Sequence, residues 1–87
     1  MKIEIRKFGN ILTSRPAGRE AALATKAYLR LQPKEKIELD FTGVLSVGPS
    51  WLDEFLSILK QEYGKERVIS LPSDNPSVNR SLEVINE

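Results

Sequence analysis

The chain has 87 residues, enough for one domain and too few for two. Its 40% hydrophobic and 29% charged content matches an ordinary soluble globular domain, and no apolar run approaches the roughly 20 residues that cross a bilayer. Cysteine and histidine are both absent, which excludes disulfides, thiolate catalysis, a Ser-His-Asp triad and the usual zinc ligand sets. The acids are scattered without the spacing of a calcium loop, so neither a metal nor another cofactor is expected. The net charge of +1 hides an asymmetry: residues 1–36 carry nine Lys/Arg against three Asp/Glu, and residues 37–87 carry four against nine. Such a division marks either a polar interaction surface or two independently solvated halves.

The opening "MKIEIRKFG" alternates apolar and polar residues and lacks the apolar core of a signal peptide, so a cytoplasmic location is the expectation. "KIEIRKF" is predicted as a strand with Ile3 and Ile5 on one face. Gly9-Asn10 is a turn signal, after which "ILTS" is expected to pair back as the second strand of a hairpin. A first helix is expected over residues 16–31, with Pro16 in its first turn, Pro33 stopping it, and Ala21, Ala24, Tyr28 and Leu31 at helical spacing. Its many alanines suggest close packing on a sheet.

"KIELDF" gives the clearest strand, Ile37, Leu39 and Phe41 alternating with Glu38 and Asp40. The clearest helix covers residues 49–63, with an apolar stripe of Leu52, Phe55, Leu56, Leu59 and Tyr63, and Gly64 as its stop. "RVISL" is a further strand and "PSDNP" a loop. "SVNRSLEVIN" is a short terminal helix with Val78, Leu82 and either Val84 or Ile85 inward. Strands alternating with helices imply parallel pairing through right-handed crossovers. The expected fold is a small α/β sandwich: a mixed, mostly parallel sheet of about four strands with packed helices, all in one domain over residues 1–87.

The corner "SVGPSWLDEF" joins strand to helix and is the first candidate site. With Gly48 as N-cap, Pro49 suits the first helical position because its missing N–H would have had no partner there. Asp53 and Glu54 lie near the positive end of the helix dipole. Ser46 and Ser50 have no histidine to activate them and no lysine close in sequence, and the corner lacks the glycines and Lys-Ser/Thr of a P-loop. Catalysis is therefore not expected, and an enzyme or ligand-binding domain would need a concave pocket at Gly48.

The run "IELDFTGVLSVGPSWLDEFL" resembles the core of the STAS domain, the sulfate-transporter and anti-sigma-factor-antagonist fold. The matching residues are Leu39-Asp40-Phe41, Thr42-Gly43-Val44, and Val47-Gly48-Pro49-Ser50 before Leu52. With "GNILTSRPAGREAALATKAYL" upstream and "RVISL" plus a helix downstream, residues from about 9 to 86 are more similar still to a compact branch, the STAS-like domain family of unknown function. The resemblance implies a small STAS-like sandwich and a non-catalytic regulatory module related to bacterial anti-sigma-factor antagonists. It implies a protein partner, either a histidine-kinase-like ATPase or an anti-sigma factor, and no membrane partner. In those antagonists a serine at the start of this helix is phosphorylated. Here Gly48 stands at the usual Asp position and Pro49, which has no hydroxyl, at the phosphorylatable one. The usual phosphoserine switch is therefore expected to be missing. Ser50 is the better remaining candidate for phosphorylation, because a helix N-terminus stabilises a phosphate, and Ser46 is the other.

A second candidate edge is "TSRPAGRE". Arg15 and Arg19 open a helix, where positive side chains oppose the dipole, and Gly18 weakens the first turn. Either an anion or acidic partner faces the arginines, or they pair within the chain, with Asp74 on a facing loop as one candidate. Trp51 is the only tryptophan; its spacing to Phe55 and Ile58 suits a core residue, whereas exposure would make it an interface anchor. The expected partner surface is thus Arg15, Arg19, Ser46, Gly48, Pro49, Ser50 and Trp51. The alternative function, a nucleic-acid-binding domain using the basic N-terminal half, is disfavoured because no basic stripe interleaved with aromatics is legible.

Overall fold

A computed structural model describes residues 1–86. Strand β1 (Lys2–Glu4) pairs with β3 (Ile37–Asp40), and β3 with β5 (Val68–Ser70), in the order β1-β3-β5. Both pairings are parallel, with Ile3 beside Leu39 and Ile37 beside Val68. Those four side chains are buried, whereas Lys2 and Glu4, one residue out of phase, are exposed. The period of two thus gives the sheet one apolar and one polar face. A second, two-stranded parallel sheet joins β2 (Ile11–Leu12) to β4 (Ser46–Val47), with Leu12 beside Val47. The structure is a small α/β domain of five strands in two sheets with three packed helices.

The hairpin expected at Gly9-Asn10 does not form, so no antiparallel strand is present among the described residues. After Glu4 the chain coils into a 3-10 turn, Ile5–Phe8, and Gly9 redirects it at φ 130°. In a strand Ile5 and Phe8 would point to opposite faces; at three residues per turn they share one side. Ile5 is fully buried and Phe8 packs against Trp51 and Phe55. Turning Ile5 and Phe8 inward together is what the coil achieves and a continued strand could not. β4 was not expected, because two residues carry no periodicity.

Helix α1 (Arg15–Tyr28) starts at Ser14, whose hydroxyl accepts the Ala17 N–H at 3.2 Å, and it carries Pro16 in its first turn. It ends three residues before the expected Leu31, because Leu29 turns extended to enter the core. Its buried face is Gly18, Ala21, Ala22 and Thr25; Ala24 and Tyr28, expected inward, are exposed. The smallest side chains face inward because α1 meets the start of α2 at close range. A Cβ on Gly18 would lie 2.4 Å from the Trp51 carbonyl oxygen. Gly18, unfavourable for the helix locally, is required by packing.

Helix α2 (Pro49–Tyr63) matches its expected bounds and buries Trp51, Leu52, Phe55, Leu56 and Leu59. Gly64 ends it at φ 94°, its N–H bonded to the Lys60 carbonyl at 2.8 Å. Helix α3 (Pro76–Ile85) is capped by Asn75, which accepts the Ser77 N–H at 2.8 Å. Val84 is exposed and Ile85 half-buried, so the inward position is Ile85.

Besides its pairing with β2, β4 is bound through the Val47 backbone by side chains of α3. Ser77 Oγ accepts the Val47 N–H at 2.8 Å and donates to the Val47 carbonyl at 3.0 Å. Buried Ser81 donates to that same carbonyl at 2.6 Å. Among the described residues no buried side-chain polar atom lacks a partner. Ser81→Ala should therefore cost about 1 kcal/mol in urea unfolding, the usual net worth of one buried hydrogen bond. An unchanged midpoint would mean that Ser77 alone fastens the helix.

Candidate functional site

The corner is set by backbone bonds between the small sheet and α2. The Gly48 N–H donates to the Leu12 carbonyl at 2.7 Å, so the β2–β4 pairing continues to the first residue before the helix. Asn75 holds the approach, its Nδ2 donating to the Val44 carbonyl at 2.7 Å and the Leu45 carbonyl at 3.2 Å. Gly48 is the N-cap in extended conformation, and without a side chain it supplies no capping bond. Pro49 and Ser50 follow as the first exposed residues of α2.

The expected site residues separate into three groups. Arg15, Pro49 and Ser50 come together with Asp53 around a shallow depression whose far wall is Val84 and Ile85 of α3. Ser46 points elsewhere: it is half-buried, with its hydroxyl 3.5 Å from that of Ser77. Trp51 is 1% exposed and stacks on Phe55, ring centroids 4.9 Å apart and planes inclined by 15°. The core alternative for Trp51 is the one realised, and an interface anchor it is not. Val84 and Ile85 were not anticipated as part of this surface, since nothing local in the sequence places the end of α3 beside the start of α2.

The arginines pair within the chain, though not with Asp74. Arg15 Nη1 donates to Asp53 at 3.0 Å and Glu54 at 3.1 Å, and Arg19 Nη1 reaches Glu54 at 3.5 Å. The hydrogen bond to Asp53, then that to Glu54, raises the Arg15 pKa above its already high ordinary value, so this charge is permanent. Lys26 pairs with Glu62 at 3.0 Å further along the same two helices. The charge asymmetry thus has a third explanation beside the two expected: the basic α1 lies along the acidic α2, and part of it is neutralised internally. These pairs are exposed and screened, so they orient side chains more than they stabilise the fold.

Asp40 closes β3 and accepts the Thr42 N–H at 3.0 Å, with Lys2 at 3.5 Å. The hydrogen bond from the Thr42 backbone is the main cause that lowers its pKa below the ordinary 3.8. A carboxyl held low in the folded state adds stability above its unfolded value and loses it as pH falls through the folded one. Acid unfolding followed by circular dichroism should therefore be less steep below pH 3.8 in Asp40→Asn than in the parent. Glu35, lowered by the Gln32 N–H and then the N-terminal ammonium, contributes with the same sign and remains in both proteins.

Among the described residues no group of three or more acidic, His or Cys side chains is placed to hold a metal ion, and no helix is long and apolar enough to cross a membrane. These features define a small parallel α/β domain with an exposed, proline-started helix corner. The chain belongs to the STAS-like domain family of unknown function (DUF4325), which matches residues 24–79. The match takes in β3, the corner and α2, and it leaves Arg15 and Arg19 outside. Comparisons with curated proteins and with solved structures gave no match.

Proposed function

We propose that this domain is a non-catalytic protein-interaction module of regulatory type, whose partner docks on the surface formed by Arg15, Arg19, Gly48, Pro49 and Ser50. The observation that carries this reading is the exposure of Pro49 and Ser50 at the start of α2, beside the ion-paired Arg15 and the apolar Val84. A depression with an apolar wall and a charged rim suits a protein contact. The partner is a histidine-kinase-like ATPase or an anti-sigma factor, by analogy with antagonists of the wider STAS fold, and the analogy bears on class alone.

Pro49 removes the hydroxyl on which such antagonists rely. Regulation by phosphate therefore falls to Ser50, which is exposed one residue later, rather than to Ser46, which is half-buried against Ser77. A phosphate on Ser50 would lie at the positive end of α2 and within the field of Arg15, but also beside Asp53. The test is to incubate the protein with a histidine-kinase-like ATPase of this class and ATP. Mass analysis should find Ser50 modified and Ser46 not. Co-purification of that kinase with the parent should be weakened in Ser50→Glu and in Pro49→Arg. Partner capture that is the same in both variants would remove the corner from the contact surface.

A further inference from the structure

The end of the domain remote from the corner carries a different surface. Residues 30–36 follow α1, and residues 60–67 finish α2 and lead into β5. Side chain to backbone bonds stitch the two segments together. Lys36 Nζ donates to the Glu66 carbonyl at 3.0 Å, and Arg67 donates to the carbonyls of Glu35 and Gln32 at 3.0 and 3.1 Å. The joined surface bears Arg30, Lys34, Lys36, Lys60, Lys65 and Arg67. None of these six cations makes an ion pair among the described residues. Of the acids on the same segments, Glu35 takes the N-terminal ammonium and Glu62 takes Lys26, which leaves Glu66 as the one without an ion pair among the described residues. At the corner the balance is the reverse, with Arg15 and Arg19 neutralised by Asp53 and Glu54.

Part of this cluster has structural work. Cations are favoured at helix C-termini, and Lys36 and Arg67 hold the two loops in register. That explanation covers Lys65 in part, since it follows the end of α2, but it does not extend to Lys34. Lys34 is the one non-glycine residue at positive φ, 67°, among those described. Glycine or asparagine is the ordinary choice for such a turn, and a lysine there adds backbone strain. Lys65 is exposed directly after the helix-ending Gly64. The half-buried Tyr63 phenol sits among the same charges. Burial, then Glu62, raises its pKa, and Lys26, Arg30 and Arg67 offset only part of the rise.

Neither segment exposes a large apolar side chain. An acidic protein partner would need an apolar or aromatic centre to its contact, and lysines are depleted there. A phosphate backbone needs none, because its affinity comes from counterion release. We propose that this basic end of the domain binds the phosphate backbone of nucleic acid, without base-sequence preference. The surface draws on both halves of the chain, which is why a search for one basic stripe in the sequence misses it.

The test is fluorescence anisotropy with a labelled oligothymidylate and a labelled mixed-sequence duplex, titrated from low to high salt. Binding is expected at low salt and should weaken as salt rises. The double variant Lys34→Gln/Lys65→Gln should reduce the magnitude of the log K against log salt slope by about 1.5, near one released counterion per lysine. Arg80→Gln on α3, also exposed and without an ion pair among the described residues, should bind like the parent. Lys34→Gly should melt at a higher temperature yet bind more weakly, a combination that a purely structural lysine would not produce. The proposal is overturned by no anisotropy change at the lowest salt or by a double variant that binds like the parent. Equally tight binding to polyglutamate, or binding to phosphatidylserine vesicles in place of oligonucleotides, overturns it as well.

Discussion

Gly18→Ala is expected to destabilise the protein by at least about 1–3 kcal/mol, the usual cost of overpacking a close contact. On an exposed helix the same change would gain about 0.5–1 kcal/mol, because alanine is the better helix former. The sign reverses because the new methyl would stand 2.4 Å from the Trp51 carbonyl oxygen and 3.1 Å from its Cα. Those are backbone atoms in the first turn of α2, so no rotamer change relieves the clash. Either α1 lifts away from α2 or the turn that begins at Pro49 shifts. Urea unfolding followed by Trp51 fluorescence reads the effect at its source, since this is the only tryptophan. A variant as stable as the parent would show that the two helices slide apart at no cost. A loss of partner binding at unchanged stability would return Gly18 to the functional role that its local disadvantage suggests.

The second large effect is at Phe55. Its ring is fully buried, stacked on Trp51 and 5.7 Å from the Phe8 ring. Phe55→Ala removes the centre of this three-ring cluster and should cost about 3–5 kcal/mol, the transfer and cavity terms together. At about 0.05–0.15 kcal/mol per residue, a chain of 87 residues has roughly 4–13 kcal/mol in all. The variant is thus expected to be largely unfolded or close to it, with a red-shifted Trp51 emission and a low denaturation midpoint. Phe55→Leu, which keeps most of the volume, should retain a cooperative transition. Equal losses in the two variants would mean that ring stacking, rather than filled volume, is what the core requires.

Helix α2 was legible to the residue because three independent cues agree: Pro49 at one end, Gly64 at the other and a full apolar stripe between them. The strands of the three-stranded sheet were legible through alternation, β3 best of all. The stripe expected on α1 was half right: Ala21 is buried and Leu31 packs on the core, but Ala24 and Tyr28 are exposed, because close helix–helix packing selects the smallest residues and adds Gly18 and Ala22. Phe8 misled in a similar way, since a strand pattern hides the 3-10 coil that carries it inward.

At the site, the exposure of Pro49 and Ser50 followed from local rules. The partners of Arg15 did not. Asp53 and Glu54 lie 38 and 39 residues further along the chain, and only the packing of α1 on α2 brings them close. The same holds for Val84 and Ile85 and for the two basic segments: each is ordinary in sequence and becomes a surface through tertiary contact.

The replacement of the expected hairpin by the β2–β4 pairing bears on how the chain reaches its fold. Ile11 lies beside Ser46, Lys2 beside Glu38 and Ile37 beside Val68, so every strand finds its neighbour more than thirty residues away. A hairpin would have offered a local step that closes within microseconds. Without one, no sheet contact can form until a whole crossover helix has been spanned, and the loop-closure entropy must be met before any ladder bond repays it. The nucleus is then expected to be the α1–α2 pair gathering β3, with the terminal strands joining afterwards. Joining the original termini by a linker and opening the chain between Gly64 and Lys65 would place β5 far from α2 and from β3 in sequence, and should slow folding without altering the final stability by a comparable factor.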